Sequence, residues 1–125
     1  MMQNICKETF PQLYEVPQFE KILSLLGTGR EAGLHIRDIC RATGFDDRTA
    51  RKAIETIRRA GVVVCTNGLD GYFFPEMLDE LRLYIRQEER RGRSLFYTMK
   101  AARALYQELA EVAEYGEETL ISVLH

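Results

Sequence analysis

Apolar residues recur at three- and four-residue spacing through most of this chain, and that period predicts helices. In FEKILSLLG, Phe19, Ile22, Leu23 and Leu26 share one face and Gly27 follows as a stop, so a helix is expected from Gln18. Ahead of it, Phe10, Leu13, Tyr14 and Val16 sit around Pro11 and Pro17, which predicts a packed arm over residues 1–17 rather than a regular element. GTGREAG then reads as a mobile link leading to Leu34, His35 and Ile36, a candidate third short strand.

Ile36, Ile39 and Cys40 predict a short helix that stops at Gly44, where a left-handed residue costs glycine little. Asp46 or Asp47 can cap the next helix, whose stripe of Ala50, Ala53, Ile54, Ile57 and Ala60 ends at Gly61. At about 100° per residue, the opposite face centres on Arg48, Lys52, Glu55 and Arg59. Arg51 and Arg58 flank it on one side, and Thr49 and Thr56 on the other. Val62–Val64 and Tyr72–Phe74 predict two strands around TNGLDG, with Pro75 ending the pairing.

From Glu76 onward, Leu78, Leu81 and Ile85, then Leu95, Met99, Ala102, Tyr106, Leu109 and Ala113, keep the spacing of a helical seam. The row is interrupted at Glu88 and Gly92. Two helices hinged near Gly92 are the preferred reading and one long helix with a polar waist the alternative, because an interior glycine costs about 1 kcal/mol relative to alanine. Gly116 closes this extension, and residues 117–125 form an acidic tail with an apolar patch at Leu120–Leu124.

The fold expected is mainly α with a small β-hairpin: an arm (1–17), a hairpin-bearing helical domain (18–75), a helical extension (76–116) and the tail. The stretch from Leu34 to Phe74, and TARKAIETIRRAGVVV above all, resembles winged helix-turn-helix DNA-binding proteins, including regulators of the GntR type. The layout of one such domain with a charged helical tail is similar to small phage and prophage DNA-binding proteins. The resemblance implies a recognition helix over Asp46–Ala60 with DNA-facing residues at Thr49 and Arg51. Arg48, Lys52, Thr56 and Arg59 extend that surface. Asp47 stands where such regulators often carry a basic residue, and the wing, Asn67–Gly71, holds Asp70 and no cation, so it is expected to add little.

Charge is sorted along the chain. The overall formal charge is −2, yet residues 30–59 carry +3, 60–85 carry −3, 86–103 carry +4 and 104–125 carry −5. Binding responds to the local field, so the acidic average does not exclude nucleic acid. Arg86, Arg90, Arg91 and Arg93 form a second candidate phosphate-binding patch, although such helix surfaces commonly hold solvated pairs such as Glu89 with Arg93.

Cys6, Cys40 and Cys65 form no CxxC pair and their number is odd, which points to free thiols rather than disulfides or zinc. His35 lacks a second ligand at metal spacing. No nucleophile elbow, phosphate loop or carboxylate pair suggests catalysis, and no cofactor or small-molecule substrate is indicated. Without a signal-peptide pattern or an apolar run of roughly 20 residues, a cytoplasmic protein is expected. The function expected is sequence-selective binding of double-stranded DNA, as a transcription regulator or a phage-type replication or maintenance factor. The C-terminal helices are expected to form a homodimer. The alternative is a protein-interaction adaptor that uses the domain as a scaffold.

Overall fold

The computed structural model describes residues 2–112. Five α-helices and one antiparallel hairpin make up its regular structure among these residues: α1 (Met2–Thr9), α2 (Pro17–Leu25), α3 (Ile36–Thr43), α4 (Asp47–Arg59), β1 (Cys65–Asn67), β2 (Gly71–Phe73) and α5 (Leu78–Val112). Single 3-10 turns at Pro11–Glu15 and Arg30–Ala32 precede α2 and α3. The chain forms two compact units, Met1–Ile85 and Arg86–His125. No described helix is long and apolar enough to cross a membrane.

The core of the first unit is built mainly from residues that helical spacing singles out. Ile22, Leu23 and Leu26 from α2 and its end meet Ile39 from α3 and Ala50, Ala53, Ile54 and Ile57 from α4, and Val62, Val64 and Phe74 join them. Two alanines on α4 let that helix approach its neighbours closely. Ala60, assigned to the same stripe by its spacing, is exposed at the helix end. Gly44 closes α3 in the left-handed region, at φ 79°, and Asp46 caps α4.

Residues 2–9 are helical, not an irregular arm. Burial of Cys6 and packing of Met2 fasten α1 to the core, and Gln3 Nε2 donates to the Leu26 carbonyl at 2.5 Å and to Ser24 at 3.2 Å. A glutamine on one helix thus satisfies carbonyls that the end of α2 leaves open. Pro17 starts α2 because the first turn of a helix needs no N–H from it.

The predicted strand at Val62–Val64 begins three residues later, at Cys65. Its backbone groups are already engaged: Val62 N–H donates to Ile57, and the Val64 carbonyl accepts from Arg58. Cys65, Thr66 and Asn67 pair with Phe73, Tyr72 and Gly71. No third strand forms at Leu34. Instead Leu34 exchanges both backbone hydrogen bonds with Tyr72 as a single bridge, and Thr28 makes another with Phe74.

The glycine-rich link is therefore tied at both ends to the hairpin. Arg30 fastens its middle, through Asp79 at 2.7 Å and Glu80 at 3.2 Å. Glu80 is 5% exposed and also accepts the N–H groups of Arg30, Glu76 and Met77. These contacts place the first two turns of α5 in the first unit.

Helix α5 is continuous for 35 residues, so the hinge near Gly92 is not present. The cost of one glycine is about 1 kcal/mol. Long unbranched side chains on both sides, Arg, Glu and Gln, propagate the helix through it.

Candidate nucleic-acid interface

Helix α4 presents its charged side outward because its apolar side is buried. Arg48, Arg51, Lys52, Thr56 and Arg59 are exposed, and Thr49 is half-buried beside the cap. The structure brings all six of these sequence-predicted residues onto one helix surface. Asp47, Arg48, Arg51, Lys52 and Glu55 line an open depression of about 620 Å³ on it.

Their hydrogen bonds sort the cations into two kinds. Arg51 gives Nε to the Asp47 carboxylate, and Arg59 gives Nη2 to Glu55 at 2.6 Å, each across one turn. The hydrogen bond to Asp47 raises the Arg51 guanidinium further above its already high range. Arg48 and Lys52 have no ion-pair partner among the described residues. Thr56 Oγ1 donates to the Lys52 carbonyl at 3.0 Å and is committed to its own helix.

At the start of the helix, Asp46 accepts the Thr49 N–H at 2.7 Å. The Thr49 hydrogen bonds, side chain before backbone, hold the Asp46 carboxyl below the usual carboxylate range. This cap fixes the first turn and with it the directions of Arg48 and Arg51. The surface can hydrogen-bond a base edge through Arg51 and neutralise phosphate through Arg48 and Lys52.

Arg58 does not belong to this surface. Its guanidinium donates twice to the Val64 carbonyl, at 2.6 and 3.0 Å, and lies 5.6 Å from the Tyr72 ring and 5.3 Å from the Tyr84 ring. It joins α4 to the hairpin and to the first turns of α5. Its position beside Ile57, at the edge of the apolar stripe, is the signal in the sequence that could have separated it from Arg51.

The hairpin tip, Gly68–Asp70, carries no cation. Asn67 Oδ1 accepts the N–H groups of Leu69 and Asp70, and Asn67 Nδ2 donates to Asp70 at 2.9 Å. The tip is thus a closed turn with Leu69 outermost, 84% exposed.

Arg86, Arg90, Arg91 and Arg93 lie exposed on α5, in the second unit. Arg91 pairs with Glu88 at 3.3 Å, and the Glu89–Arg93 pair is not formed. His35 caps α3, where its N–H donates to Asp38 at 3.2 Å. The three cysteines are free, and burial pushes the Cys65 thiol up to about 11. No group of three or more His, Cys, Asp or Glu side chains is placed to hold a metal among the described residues. Neither the protein-family models, nor the curated proteins, nor the solved structures contain a match to this chain.

Proposed function

We propose that this protein binds double-stranded DNA with sequence selectivity through the outer face of α4, as a winged helix-turn-helix protein of the transcription-regulator or phage replication and maintenance kind. The single observation that carries the reading is the pair Arg48 and Lys52. Both are exposed cations with no ion-pair partner among the described residues, on a capped helix whose other side is locked into the core. Residues 47–59 carry a net +3. Unpaired cations release condensed counterions when they meet phosphate, which favours binding and makes it salt-dependent. Arg51, oriented by Asp47, supplies the base-reading donor.

In this reading Arg86, Arg90 and Arg93 add phosphate contacts and α5 brings two copies together. The adaptor reading draws on a different observation, the exposed apolar side chains Leu95, Phe96, Tyr97, Met99, Leu105 and Tyr106. Salt separates the two, since an apolar helix interface responds weakly to it. Selection from a randomised duplex library, followed by sequencing, tests the reading directly. An enriched sequence whose binding falls steeply between 50 and 200 mM salt, roughly a decade or more for several phosphate contacts, is expected. No enrichment and no binding at low salt would overturn it.

A further inference from the structure

Helix α5 continues unbroken through Gly92, so Glu88, Gly92, Leu95, Met99, Ala102, Tyr106 and Leu109 form one row at alternating four- and three-residue steps. In heptad terms Gly92, Met99 and Tyr106 share one core position, and Glu88, Leu95, Ala102 and Leu109 the other. Leu95, Met99 and Tyr106 are 62%, 53% and 74% exposed, and the space a Cβ on Gly92 would occupy is open. The row is uneven in size and carries one carboxylate. Those two features restrict which partner fits.

We infer that a second copy of this chain covers the row, with its α5 running antiparallel and centred between Met99 and Ala102. This rests on the self-pairing reading above and adds its direction and register. A parallel copy in register would set Gly92 against Gly92, Ala102 against Ala102 and Tyr106 against Tyr106. Empty layers would then alternate with an overfilled one. It would also place Glu88 against Glu88 at a core position, where two carboxylates repel and lose water.

The antiparallel register evens the layers. Gly92 meets the partner's Leu109, Leu95 meets the partner's Tyr106, and Met99 meets the partner's Ala102. Small residues face large ones, as close packing between helices requires. Glu88 no longer meets its own copy.

Charge selects the same direction. Residues 86–103 carry +4, whereas the last described turns of α5, residues 104–112, carry −2 from Glu108 and Glu111, which this register sets level with the partner's Arg93 and Arg90. Parallel helices set like blocks side by side, whereas antiparallel helices set the basic block of each copy toward the acidic block of the other. Helix axes in such pairs lie about 8–10 Å apart, comparable to the Debye length of about 8 Å in physiological salt, so the blocks are only partly screened from each other. Block complementarity of this kind selects orientation more than it adds affinity.

Gln87 and Ala101 occupy the same heptad position two heptads apart, so nitroxide labels on Q87C and A101C read direction in the full-length chain. Cys40 is replaced by alanine to limit background labelling, and the same chain without an added cysteine is the control. Antiparallel pairing keeps the two labels at position 101 level along the axis but separates those at position 87 by about 40 Å of axial rise, from the 1.5 Å per residue of a helix. A short pulsed-dipolar distance at 101 with a distance near 40–45 Å at 87 is expected. Equal short distances at both positions would overturn the antiparallel arrangement and leave self-pairing standing. A single-chain mass by light scattering without dipolar modulation would overturn both, and a dimer whose labels at 101 lie far apart would overturn pairing through this row of α5. Duplex binding by wild type, measured by anisotropy, tests the DNA reading separately from the geometry of the pair.

Discussion

Arg51 and Asp47 face each other across one turn of α4, and the carboxylate takes the arginine's Nε, leaving its Nη groups as the remaining donors. Asp47 therefore lowers the positive charge of the surface while holding the side chain that the proposed mode assigns to base reading. Asp47→Ala should tighten binding to unrelated duplex and steepen its salt slope by up to about 0.9, the value of one additional phosphate contact. It should also narrow the ratio between selected and unrelated sequences. Anisotropy titrations with both duplexes check this, and weaker binding to unrelated DNA would contradict it.

Glu80 joins the start of α5 to the link before α3. Burial raises its carboxyl, but the N–H groups of Met77, Glu76 and Arg30, together with the Arg30 guanidinium, outweigh that and bring it to about 2. A carboxyl depressed in the folded state stabilises the protein above its unfolded value, about 4.3. That stability is lost as the pH falls from there through about 2. Glu80→Ala should cost about 2–3 kcal/mol at pH 7, since it leaves buried donors unmatched. It should flatten the acid limb of the stability profile between pH 4.5 and 2. Urea melts across pH for wild type and variant measure both effects, and parallel profiles would contradict the assignment.

Arg58 is a structural residue in a basic helix. Arg58→Ala removes two charge-assisted hydrogen bonds to the Val64 carbonyl and the ring contacts with Tyr72 and Tyr84, and should destabilise the fold by about 1.5–3 kcal/mol. Lysine should restore little of this, because a single ammonium lacks the planar donor fork. The salt slope of duplex binding by the folded variant should be unchanged. Denaturation and anisotropy together check the separation of roles.

The hairpin tip offers no cation to phosphate, and Asp70 opposes it. Asp70→Lys should raise the salt slope by up to about 0.9 and tighten non-specific binding. An unchanged slope, read by anisotropy against an unrelated duplex, would mean that the tip faces away from the DNA.

Elements defined by local chemistry were legible in the sequence. The apolar period marked α2, α3 and α4, Asp46 and Gly44 marked their ends, and Tyr72 and Phe73 marked β2. What escaped depends on particular side-chain to backbone and ion-pair contacts that the apolar period does not encode. Helix α1 is short, with only Met2, Ile5 and Cys6 as its apolar face, and is held by Gln3 reaching Leu26, the glycine-rich link by Arg30 reaching Glu80, and the extended Val62–Val64 by Arg58 reaching Val64. The hinge expected at Gly92 failed because one unfavourable residue does not outweigh the helix formers around it. The six α4 residues share a surface because helical geometry alone puts them there. The pairing of Arg51 and Arg59 with carboxylates was not legible, since an exposed side chain at that spacing has several partners within reach.

In the proposed binding mode Arg48 and Lys52 meet DNA phosphate. Salt-dependent anisotropy of a selected duplex with wild type, Arg48→Glu and Lys52→Glu tests it most directly, with circular dichroism confirming that each variant folds. Each reversal should lower the magnitude of the salt slope by about 0.9 or more and weaken binding at least tenfold at low salt. Wild-type affinity and slope in both variants would contradict the account.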